Sequence, residues 1–265
     1  MTARGVPGAH YLGGLDGLRG VACLSVLTAH CWGHFAPDTT PGGVAQVLSQ
    51  GLVVFFAMSG LLIYLPFVRD IAAGERRVSI AGYTRRRLAR VYPAYLVIFL
   101  ISSFVLQAVY RTNAVDTATP GSDIGSGMMT DPLKLVLNLG LLQTFFPDSI
   151  QTGINPAWSL TTELCFYAVL PLLAIPLVRY VRGSSRRAFI LAMLPAMLLL
   201  LVGLGGRAWA EQLYRGRPQL GAFGAEFGAN GVAVLSRSLL ALADNFAFGM
   251  VVAVLFVWME RGALT

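Results

Sequence analysis

Gly51-Leu-Val-Val-Phe-Phe-Ala-Met-Ser-Gly-Leu-Leu-Ile-Tyr-Leu-Pro-Phe-Val68 runs for eighteen residues without a single charge. As a helix rising about 1.5 Å per residue it is about 27 Å long, close to the ~30 Å hydrocarbon thickness of a bilayer. An extended segment in lipid would leave its backbone N–H and C=O groups without partners, whereas a helix satisfies them internally. This segment reads as a membrane-spanning helix.

Five further runs of the same character surround it: Gly20–Phe35, Val91–Tyr110, Leu160–Val178, Ala188–Gly206 and Leu239–Trp258. A shorter apolar stretch, Leu133–Phe146, ends against Pro147. Runs of that length are often re-entrant or interfacial. The expected fold is therefore all-α, a polytopic transmembrane helical bundle of six or seven spans. Leu133–Phe146 either enters and leaves on one side or forms the seventh. Residues 1–265 read as one membrane domain with no fixed-period repeat and no separate soluble unit.

Composition agrees. Apolar residues make up 55% of the 265 positions and charged residues only 12%, about half the charged share of a soluble domain. A soluble enzyme is excluded. The formal charge of +7 is carried almost wholly by arginines placed between the apolar runs, seven from Arg69 to Arg90 and four from Arg179 to Arg187. That is the pattern of the positive-inside rule rather than of a nucleic-acid surface. It predicts both segments to be cytoplasmic, with the N-terminus on the same side. Cys23, Cys31 and Cys165 lie in apolar segments without C-x-x-C spacing, so no disulfide framework is expected. The first apolar run is followed by others and reads as a span rather than a cleaved signal.

Polar groups at membrane depth are costly and mark candidate sites. Arg19 and His30 lie eleven residues apart, which returns them to nearly one helix face about 16 Å apart along the axis. An interfacial anchor and an outer histidine would give the same spacing. His34 follows His30 by four residues, but no third ligand completes a metal site, and none is expected. Glu163 falls in the first turns of a span and, in this topology, at a depth similar to His30. It could orient an imidazole, bind a hydroxyl, or serve as an N-terminal helix charge with Ser159 as cap. Arg86, Arg87 and Arg90 cluster at one helix end and suit phosphate oxygens, although anchoring to anionic lipid would select the same residues. Ser59 and Gly60 are small residues in a span, where close helix packing is their ordinary use. Asp244 and Asn245 are polar in the last span and suggest no role.

Together these segments resemble acyltransferase family 3. An Arg followed after ten residues by His in the first span matches Arg19 and His30. The aromatic-aromatic-x-x-Ser-Gly element looks like Phe55–Gly60, and R-R-x-x-R-x-x-P-x-Y is similar to Arg86, Arg87, Arg90, Pro93 and Tyr95. W-S-L-x-x-E matches Trp158, Ser159, Leu160 and Glu163, and Ala247-Phe248-Gly249-Met250 resembles a Phe/Gly turn of a later span. The resemblance implies a multi-pass enzyme of the bacterial cytoplasmic membrane. It would move an acyl group, for example acetyl, from cytoplasmic acyl-CoA as co-substrate to a hydroxyl of a carbohydrate or similar acceptor, with no other cofactor. It makes His30 the general base and gives Glu163 a catalytic part. Arg19, Arg86, Arg87, Arg90, Ser59 and Trp158 become substrate-binding candidates. The pantetheine arm would follow the Arg19–His30 stripe, and the loops Thr112–Thr130 and Arg207–Ser236 would select the acceptor. Family members carry more spans than these, so the chain reads as C-terminally truncated. A non-catalytic membrane subunit or a transporter of the same architecture is the alternative.

Overall fold

The computed structural model describes residues 14–35, 42–113, 125–181 and 183–262. The chain is all-α, and among the described residues five helical segments are long and apolar enough to cross a membrane: Val47–Ala73, Ile80–Val105, Asn155–Val178, Ser185–Arg215 and Gly231–Glu260. The regular helices are α1 (Gly14–Phe35), α2 (Gly42–Ser49), α3 (Gly51–Ala73), α4 (Ile80–Leu100), α5 (Pro132–Leu139), α6 (Trp158–Val178), α7 (Ser185–Arg215), α8 (Gly221–Phe227), α9 (Gly231–Ser236) and α10 (Leu239–Glu260). A single wide turn, Ile101–Val105, prolongs α4.

Local signals set the ends. Gly74 adopts φ 68° after α3, and its N–H closes onto the Asp70 and Ile71 carbonyls, a left-handed cap that glycine adopts at least cost. The Asp70 carboxylate then accepts from the backbone N–H groups of Arg77 and Val78 at 2.9 and 2.8 Å, which folds the arginine-rich turn back on the bundle. Ser79 caps α4 and Asp131 caps α5.

Small residues position the core helices. A Cβ built on Gly60 of α3 would overlap the Phe246 carbonyl of α10, and one on Gly249 would overlap the Ala57 carbonyl of α3. Gly203 and Gly206 of α7 stand in the same way against Asp244 and Leu240. Backbones approach this closely in membranes only across such residues, and α10 is thereby wedged between α3 and α7. Phe246 also stacks between Phe56 and Phe166, with ring centroids 4.6 and 4.3 Å apart, which joins α6 to the same core.

The stretch Leu133–Phe146 does not form a seventh span. Its helix, α5, has eight residues, about 12 Å. Tyr92 and Tyr95 of α4 donate to the Gly140 and Asn138 carbonyls, and strand β1 (Val109–Tyr110) pairs with β2 (Ser126–Gly127) while Tyr110 bridges Gly153. The chain thus leaves α4 and enters α6 at one end of the bundle. Residues 114–124 of the expected loop Thr112–Thr130 lie outside the described residues.

Two expectations shift. Helix α1 has 22 residues yet is not among the five apolar spans, because Asp16, Arg19 and two histidines dilute its hydropathy. It touches the bundle where Ala22 and Val26 meet Gly51, and most of its surface is exposed. The span expected at Ala188–Gly206 continues to Arg215, so Arg207 belongs to a helix and not to a loop.

Candidate functional site

Helices α3 and α6 cross at the small residues of the first and the polar opening turns of the second. There the Ser59 hydroxyl donates to Glu163 Oε1 at 2.6 Å. The start of α6 is held by Thr161, which donates to the Leu141 carbonyl at 2.8 Å, and by Thr162, which donates to the Arg237 carbonyl at 2.6 Å. These bonds fix the register that aims Glu163 at α3.

One turn further along α6, the buried Tyr167 hydroxyl approaches the Glu163 carboxylate without closing a well-formed hydrogen bond. The Arg87 guanidinium lies 5.9 Å from the Tyr167 ring centroid and 5.7 Å from that of Tyr83, and the Tyr83 hydroxyl donates to the Tyr167 carbonyl at 3.1 Å. Arg87 Nε is buried and has no partner among the described residues. Ser59, Glu163, Tyr167 and Arg87 thus form one polar file through apolar surroundings. Beside it lies a cavity of about 420 Å³ between α4, α6 and the turn at residues 140–145, lined in part by Arg87, Cys165 and Tyr167.

The other candidates stand apart from this file. Arg86 and Arg90 are exposed on α4 near Arg87. Arg19 pairs with Asp16 of its own helix at 3.3 Å. His30 is exposed, and its Nδ1 lies 2.7 Å from the Val26 carbonyl. A carbonyl only accepts, so Nδ1 holds the proton and Nε2 is the basic nitrogen of the neutral ring. No described contact joins His30 to Glu163: Ser59, not an imidazole, meets the carboxylate. Trp158 is stacked by Arg237, whose guanidinium lies 4.4 Å from its ring centroid and 3.7 Å from that of Phe227 while bonding Glu226 at 3.2 Å.

Sequence reasoning missed Arg237, Tyr83 and Tyr167, because aromatic and basic residues at helix ends are common and nothing in their spacing set these apart. It also left Asp244 and Asn245 without a role. Arg207 supplies it, donating to Asp244 Oδ2 at 2.6 Å, to Asn245 Oδ1 at 3.2 Å and to the Ala241 carbonyl at 3.1 Å. Among the described residues no cluster of three His, Cys, Asp or Glu side chains could hold a metal ion.

Parts of the sequence are shared with known proteins. The acyltransferase domain of family 3 matches residues 12–218. The chain is 31% identical over 165 residues to "Acyltransferase MdmB" of Streptomyces mycarofaciens, covering 60% of this chain and 38% of that protein. It is 28% identical over 162 residues to "Protein 2 in picA locus" of Rhizobium radiobacter, covering 58% and 78%. With the "Putative peptidoglycan O-acetyltransferase YrhL" of Bacillus subtilis it shares 26% identity over 185 residues, covering 69% and 27%. The matched part is thus well under half of the MdmB and YrhL proteins. No solved structure gives a significant match.

Proposed function

Because the chain belongs to acyltransferase family 3, we propose that it transfers an acyl group from cytoplasmic acyl-CoA to a hydroxyl of a carbohydrate or similar acceptor, within the bacterial cytoplasmic membrane and with its N-terminus in the cytoplasm. The observation that carries this reading is the joining of three separate motif segments in one polar file: Ser59, Glu163 and Arg87. A merely structural use of these residues would not require them to meet along one file. The name of the MdmB protein supports acyl transfer, and that of YrhL, a putative peptidoglycan O-acetyltransferase, supports a hydroxyl acceptor.

In this mechanism His30 Nε2 takes the proton of the acceptor hydroxyl, and the resulting oxygen nucleophile attacks the thioester carbonyl carbon. The C–S bond breaks, and the CoA thiolate leaves with the proton returned from His30. An imidazole whose Nδ1 is committed to a backbone carbonyl leaves Nε2 to take that proton. Glu163, with Oε1 occupied by Ser59, offers Oε2 to the acceptor. Arg86 and Arg90 take the CoA phosphates through charge-assisted bonds, Arg19 guides the donor at the cytoplasmic mouth, and Trp158 contributes to the acceptor end. The acyl-CoA is a co-substrate, and no other cofactor enters.

The test is acyl transfer from labelled acetyl-CoA in membranes carrying the chain, with His30→Ala beside it. Label should enter a carbohydrate or envelope fraction and disappear in the variant, while membrane insertion stays intact. Substantial transfer by His30→Ala would remove His30 from the mechanism.

A further inference from the structure

The cavity between α4 and α6 is a groove with direction. On α4 it runs from Tyr83 to Tyr92, nine residues or about 13 Å. Tyr83 and Thr84 stand at one end, Arg87 lies midway, and the 140–145 turn beside Thr161 forms the other end. Its volume of about 420 Å³ falls within the range of small-ligand sites, roughly 300–1,000 Å³.

Its walls are apolar, with Leu88, Leu142 and Phe145 partly exposed at the rim. Among the polar atoms in the lining, two are buried without a closed hydrogen bond. Arg87 Nε has no partner, and the Tyr167 hydroxyl has only its open approach to Glu163. Buried donors are almost always paired, so two such donors along one groove call for acceptor atoms from a ligand. A narrow, mostly apolar chain bearing carbonyl oxygens at intervals meets these demands.

We propose that the α4–α6 groove holds the pantetheine arm of the acyl thioester donor, its carbonyls meeting Arg87 and Tyr167 and its phosphates lying at Arg86 and Arg90. This assignment rests on the acyl-CoA reading above and changes the route of the arm. The Arg19–His30 stripe lies on a largely exposed face of α1 with no enclosing wall among the described residues, whereas the groove offers the arm walls from two helices and a turn.

The native thiols report on the two routes. Cys165 lines the groove, and Cys23 and Cys31 are exposed on α1, all three unpaired. The full chain in lipid nanodiscs would be alkylated with a small maleimide, with and without saturating acetyl-CoA, and the rate at each cysteine read by mass spectrometry. Binding of labelled acetyl-CoA would be measured on the same sample. Acetyl-CoA is expected to slow Cys165 about tenfold and to leave Cys23 and Cys31 unchanged. Leu88→Trp, which fills the rim from a partly exposed position, is expected to weaken acetyl-CoA binding about tenfold, a change of ~1.4 kcal/mol. Binding that shields Cys23 or Cys31 and not Cys165 would overturn the groove and return the arm to α1. Unchanged affinity in Leu88→Trp would overturn it independently of thiol reactivity. Absence of any acetyl-CoA binding would instead remove the donor reading, and the groove assignment with it.

Discussion

Removing the Arg207 guanidinium should destabilise the bundle more than neutralising its partner, and removing both should cost less than the two losses added together. The Asp244 side chain is only 4% exposed, while that of Arg207 is 49% exposed. Arg207→Met keeps the apolar stem but strands a buried carboxylate whose Oδ1 already lacks a partner. Breaking a buried pair in this way costs about 3–5 kcal/mol, and the half-exposed arginine places this pair at the lower end, about 3 kcal/mol. Asp244→Asn keeps the shape and an accepting oxygen, so it should cost about 1 kcal/mol. The double variant leaves no stranded charge and should resemble Asp244→Asn, giving a coupling of about 3 kcal/mol. At roughly 2–4 °C per kcal/mol for a chain of this size, Arg207→Met should lower Tm by about 6–12 °C. Thermal unfolding of the four proteins in one detergent, followed by tryptophan fluorescence at one scan rate, measures this directly. Strictly additive shifts, or an Arg207→Met protein as stable as the parent, would refute the reasoning.

Three further outcomes are expected. Arg90→Ala should raise the apparent constant for acetyl-CoA by about tenfold to a hundredfold, the worth of one charge-assisted bond, without changing acceptor preference; an unchanged constant counts against the phosphate role. Ser59→Ala deprives Glu163 Oε1 of its donor and should slow transfer about tenfold, and Glu163→Gln should slow it at least as much; equal rates in all three proteins would separate this pair from the chemistry. Gly60→Val drives two methyl groups into the Phe246 carbonyl, so α3 and α10 must part at a cost of about 1–3 kcal/mol or more, visible as a lowered Tm, whereas Gly205→Val meets open space and should leave Tm nearly unchanged.

Much of the architecture could be read from hydropathy, because lipid rewards every apolar residue in a span alike. Helix ends were less legible. Helix α4 begins at Ile80, eleven residues before the apolar run at Val91, since the arginines of its first turns continue the helix beyond the hydrocarbon. The topology inferred from arginine placement agrees with the short α5, which returns the chain to the end it left. The candidate site was legible in its parts and not in its connections. Glu163 was expected to stand level with His30, but its partner is Ser59, 104 residues away. Periodicity says how a residue meets lipid and nothing about which neighbouring helix it faces. Arg207, inside α7, and Arg237, at the end of α9, escaped for the same reason: only tertiary packing brings Asp244 to the one and Trp158 to the other.

The wedge of α10 between α3 and α7 has a consequence for how the protein is made. Ala57 and Gly249 touch across 192 residues of chain, and at about 5–20 residues per second roughly 10–40 s of synthesis separates them. Throughout that interval the Gly60 face of α3 waits without the helix it is shaped to receive, and the Gly203–Gly206 face of α7 joins it only near the end. Small residues make that delay tolerable, since they leave little unsatisfied polar surface in lipid. The same design makes closure late and all-or-none. A ribosome that stops before Leu239 releases four inserted spans with no keel, and membrane quality control should remove them.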